Sequence, residues 1–125
     1  MSRLERVCQA IEECEGYSID ALSMAVLDEE DALEISLRWG PEKRDVSISL
    51  RGVVYFEIGR DAYVSAGPLC ELRASVIGPG GGSWPEGINF DRVRQQDVRL
   101  IWIRASGPVQ LNVLANTAVV LQELE

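Results

Sequence analysis

Apolar residues near the start of the chain recur three and four positions apart. Leu4, Val7, Cys8, Ile11 and Cys14 fall on one side of a helix and Glu5, Arg6, Glu12, Glu13 and Glu15 elsewhere, which predicts an α-helix over residues 3–15. Ser2 is placed to cap its first turn, with Glu5 three residues on, and Gly16 is placed to stop it. Beyond Gly16 the apolar positions alternate strictly. Leu22, Met24 and Val26 alternate with small or polar neighbours, Leu33, Ile35, Leu37 and Trp39 with Glu34, Ser36 and Arg38, and Val46, Ile48 and Leu50 with Ser47, Ser49 and Arg51. Each run reads as a half-buried antiparallel strand. "DEED" (28–31) and "GPEKR" (40–44) supply turns between them, and Gly52 marks a bulge or bend before "VVYFEI" (53–58).

The second half continues in the same style. "AYVSA" (62–66), residues 69–77, "INF" (88–90), "DVRLIWIRA" (97–105), "VQLNVLA" (109–115) and "AVVLQEL" (118–124) read as strands parted by turn signals, among them "SGP" and "NT". Cys70, Leu72, Ala74 and Val76 share one face, and Leu100–Ile103 is apolar on both faces, which places it inside a sheet. Short strands at this spacing predict a mainly β protein, an antiparallel β-sandwich or open barrel of seven to nine strands with one N-terminal α-helix. No linker divides residues 1–125, so a single domain is expected, helical over 3–15 and antiparallel β over 19–124.

Composition narrows the chemistry. The chain has no histidine, which removes Ser/His and Cys/His nucleophile pairs, histidine-based zinc sites and a histidine general base. Cys8, Cys14 and Cys70 form no C-x-x-C pair and read as small buried hydrophobes. The four acids of residues 28–31 lack the spaced ligands of a calcium loop. No metal, no cofactor and no catalytic residue is therefore expected. An enzyme would have to work with carboxylates, tyrosine, arginine or the single Lys43. Two carboxylates can meet in a cleft, so a small carboxylate-dependent enzyme or ligand-binding barrel is the alternative to a non-catalytic protein.

Charge placement says more than net charge. The formal charge is −8, and residues 1–35 hold ten acids against Arg3 and Arg6, so the whole excess lies in the first quarter of the chain. The chain offers no basic stripe for nucleic acid or an anionic membrane, and the acid excess suits a basic protein. Glu12, Glu13 and Glu15 crowd the end of the helix, where the dipole favours cations by about 0.3–1 kcal/mol per charge. Local helix stability does not explain them. With Asp28, Glu29, Glu30 and Asp31 they form the candidate partner contacts. Trp84, inside "GPGGGSWPEG" (78–87), is an apolar anchor for that partner or a plug in the core. The glycines are not a phosphate loop, because Trp84-Pro85-Glu86 stand where a lysine, a hydroxyl and a helix would be needed. No apolar run approaches the roughly 20 residues that span a bilayer, and "MSRLERVCQAIEECE" lacks the apolar centre of a signal peptide, so the cytoplasm is the expected location.

The order "GYSIDALSMAV", "LEISLRW" and "RDVSISLRGVVYFEI" resembles small bacterial β-rich proteins among the immunity families of polymorphic toxin systems. The likeness covers residues 17–77 in rhythm and order and transfers no site residue. It implies a non-enzymatic, acidic, cytoplasmic protein that masks a toxin's active surface. The expectation is a protein-binding module that docks or masks a cationic protein. A structural homo-oligomer joined through edge strands is the second alternative.

Overall fold

The computed structural model describes residues 2–27, 30–40, 42–60, 67–78 and 99–122. Helix α1 spans Arg3–Glu12, with the Glu5 amide donating to Ser2 Oγ at 3.2 Å, the expected cap. The helix is shorter than the predicted 3–15. From Cys14 onward the backbone bonds close three residues back (Cys14 to Ile11, Glu15 to Glu12, Tyr17 to Cys14), and Gly16 turns the chain at φ +94°.

Six strands follow among the described residues: β1 (Ser18–Leu27), β2 (Glu30–Arg38), β3 (Val46–Arg60), β4 (Glu71–Ile77), β5 (Leu100–Ser106) and β6 (Val109–Gln122). They form one open antiparallel sheet in the order β1-β2-β3-β6-β5-β4. The fold is mainly β, as expected, but the described strands make one sheet of six. The predicted strands at 62–66 and 88–90 lie outside the described residues.

One expected turn is absent: β6 runs straight through "NT" (116–117). Gly52 bends β3 without ending it, in keeping with the bulge or bend expected there. The two signals face each other. Arg51 pairs with Thr117 and Val53 with Ala115, which sets Gly52 opposite Asn116, and the register then slips between Val53 and Tyr55. Gly52 sits at φ +64°, and a Cβ there would collide with the Asn116 side chain. The pair stands beside the bulge at Val53–Tyr55 in a long two-stranded ribbon. Its lower half carries β2 and β1 on the β3 side, and its upper half carries β5 and β4 on the β6 side.

One face of the sheet holds the main core: Leu33, Ile35 and Leu37, Ile48 and Leu50, Leu72, Ala74 and Val76, Ile101 and Ile103, and Val113. Cys8, Ile11 and Cys14 of the helix side pack into the same cluster. A smaller cluster of Ile77, Leu100 and Leu114 occupies the other face, so β5 is buried on both sides as its pattern required. The sheet also curls. The Leu69 amide, just before β4, donates to the carbonyl of Tyr17, just before β1, at 2.9 Å. The two outer strands thus set out side by side.

Cys8 and Cys14 are buried as expected, and burial, then the nearby Glu12 and Glu5 carboxylates, push the Cys8 thiol up to about 11. A thiol held so high stays protonated and unreactive at neutral pH. Cys70 corrects the expectation, since its side chain is exposed. No helix among the described residues is long and apolar enough to cross a membrane.

Candidate functional site

An open sheet has two outer edges, each with a row of backbone N–H and C=O groups that no neighbouring strand takes up. Here the two edges are treated differently. Along β4, Glu12 at the end of helix α1 and Glu15 in the turn beyond it supply acceptors. The Leu72 amide donates to Glu15 Oε1 at 3.3 Å, and the Ala74 amide to Glu12 Oε2 at 3.4 Å. Farther along, Glu5 of the helix pairs with Arg99 just before β5, at 3.4 Å. Glu12 and Glu15, two of the three acids that oppose the helix dipole, therefore have an intramolecular reason. They close an edge strand 57 and 62 residues away in sequence, which no reading of local helix energetics reveals.

This arrangement has a direct test. Replacing Glu12 and Glu15 together by alanine should cost about 1–2 kcal/mol, the scale of two long hydrogen bonds to charged acceptors. The Leu72 and Ala74 amides should then exchange their protons at least ~10-fold faster while amides of β3 and β6 hold. Unchanged exchange at Leu72 and Ala74 would show that the carboxylates do not guard the edge.

The β1 edge has no such cover among the described residues. Asp20, Ala21 and Ser23 through Val26 are all exposed, on both faces of the strand. Met24 is 47% and Val26 70% exposed. The alternation was read correctly, since Leu22 pairs with Ile35 and Met24 with Leu33 on the core face. What fails is the inference from pattern to burial. Helix α1 packs against β4 and β6, so among the described residues no layer lies above the outer end of β1. From Ala21 to Val26 the strand contains no charge, proline or glycine, and its only irregularity is a bulge between Ile19 and Ala21.

At its start, β1 borders a cleft of about 350 Å³ whose lining includes Ile19, Asp20, Arg38, Trp39 and Leu69. Trp39 was expected on the core face of β2; it lies just past the strand and is 43% exposed. Its ring meets Tyr17 edge-on at 5.3 Å, and Lys43 Nζ stands 3.9 Å from its centre.

The remaining candidate contacts do not form one patch. Glu13 is exposed at the end of the helix. Asp31 is exposed in β2, opposite Val26, at the far end of β1, eight residues beyond Ser18 and so about 26 Å away along the strand. Glu30 opens β2, where its backbone alone is described. Asp28, Glu29 and Trp84 lie outside the described residues. Of the arginines near β5, Arg99 pairs with Glu5, and Arg104 stacks 3.9 Å from the Trp102 ring centre.

For the enzymatic alternative, Asp20 and Asp45 line one shallow depression of about 320 Å³, and both side chains stay in solvent. Among the described residues no charged or polar side chain is buried, and no group of three potential metal ligands comes together. Compared with protein-family models, with curated proteins and with solved structures, the chain matches none.

Proposed function

We propose that the protein is a non-catalytic binding module that docks a cationic protein through the β1–β2 hairpin. One observation carries this reading: the edge of the sheet left bare among the described residues belongs to a strongly acidic segment of the chain. Residues 17–39 contain six acids, Asp20, Asp28, Glu29, Glu30, Asp31 and Glu34, against Arg38 alone. An excess of one sign beside an open interaction surface speeds encounter with an oppositely charged partner and repels partners of like charge. Masking the basic active surface of a toxin is the concrete form of this function. Glu12 and Glu15 have a separate, internal duty.

The test uses polylysine of defined length as the probe. Binding should be measurable at low ionic strength and weaken steeply as salt rises past a Debye length of about 10 Å at 0.1 M. Neutralising the hairpin (Asp28→Asn, Glu29→Gln, Glu30→Gln, Asp31→Asn) should weaken it ~10-fold, whereas Glu12→Gln with Glu15→Gln should lower stability and leave binding nearly unchanged. Equal loss of binding from both sets would remove the hairpin as the docking element.

A further inference from the structure

The two edges of the sheet differ in a way that points to how a partner is held. An outer strand of ten residues is a ready template for another chain, and native proteins blunt such strands with lysine, proline, bulges or a covering element. The β4 edge is covered, by Glu12 and Glu15. The β1 edge keeps one charge, Asp20, and one bulge, both at its beginning. The six residues Ala21–Val26 carry no such device. One edge left bare among the described residues, while two carboxylates are committed to the other, is the arrangement expected of a docking strand.

Building on the reading above, we infer that the partner supplies an extended segment that adds to the outer edge of β1 as a seventh strand. Backbone hydrogen bonds would be the main source of affinity, and side chains on one face would set specificity. That face is fixed by register. Leu22, Met24 and Val26 lie on the core face, in line with Ile35, Leu33 and Asp31. An apolar side chain on the added strand would extend the core row over Met24 and Val26, which now meet water. The same strand passes Asp20 at one end of β1 and Asp31, paired with Val26, at the other, so its termini should be basic. A second copy of this chain fits less well, because two hairpins with six acids and one arginine each would be brought together.

The experiment uses the whole protein and a capped peptide of about ten alternating valine and lysine residues, the usual length of a paired strand. Backbone N-methylation separates strand addition from simple charge attraction, because only alternate amides of an added strand donate to β1. Methylating one alternate set should weaken binding at least ~10-fold, and methylating the other set should change it by less than ~3-fold. Amides within residues 20–26 should gain protection from exchange when the unmodified peptide binds. Met24→Lys, at an exposed edge position, should weaken binding ~10-fold without unfolding the protein.

Salt-sensitive binding with no difference between the two methylated sets would overturn strand addition and leave the cationic-partner reading standing. No binding even at low salt would overturn both. A dimer in sedimentation whose β1 amides are protected without peptide would also overturn it, since the edge would then belong to a second copy.

Discussion

Ile11→Ala should destabilise the protein by about 2–5 kcal/mol, a large share of the 5–15 kcal/mol that holds a domain of this kind folded. Ile11 has no exposed surface and stands in the main core with Cys8 and Cys14. Alanine has the higher helix propensity, so the substitution favours the helix taken alone. Any loss is therefore tertiary. In urea the midpoint should fall with little change in slope if the whole molecule still unfolds as one unit. The effect should also reach β4, because a loosened helix withdraws Glu12 and Glu15 from the Leu72 and Ala74 amides. Faster exchange at those two amides than the global loss accounts for would mark that link. An unchanged midpoint would mean that α1 is not docked on the sheet.

Gly52→Val should cost about 2–4 kcal/mol, combining a positive-φ backbone that L-residues disfavour with overpacking against Asn116. Adding Asn116→Gly should return the overpacking part and leave the backbone part, so the double variant should be more stable than Gly52→Val alone. Failure of that rescue in a denaturation series would show that the two positions do not meet across the ribbon.

The hydrophobic pattern made the elements legible because alternation depends on which way side chains point, and that is local. Ser2, Cys8, Ile11, Leu33, Ile35, Leu37 and Ile48 all lie where their spacing placed them. Pattern alone did not say which surface another layer would cover. Met24 and Val26 point to the core side and remain in water, because coverage is decided by where a helix far along the sheet comes to rest. Gly52 bends its strand as its position predicts, but the turn expected at 116–117 is absent for a related reason. Asn116 is a breaker in its own sequence neighbourhood, and only the pairing of β3 with β6 sets it opposite Gly52 inside a continuous strand. The role of Glu12 and Glu15 had a visible signal, acids against the dipole, but its cause lay beyond the helix. The strand with the least protection was present in the sequence as Ala21–Val26; recognising it as an edge required the strand order.

That strand order has a kinetic consequence. The middle of the sheet joins β3 to β6, and Val46 pairs with Gln122, so the central ladder closes between distant parts of the chain. During synthesis β1, β2 and β3 can assemble as a meander, but β3 must wait with one side open until β6 has emerged. Proteins dominated by such non-local pairings fold in milliseconds to seconds, far more slowly than helical bundles. While it waits, the nascent sheet has both β1 and β3 open to strand capture, and an early partner on β1 would leave β3 the sole open side.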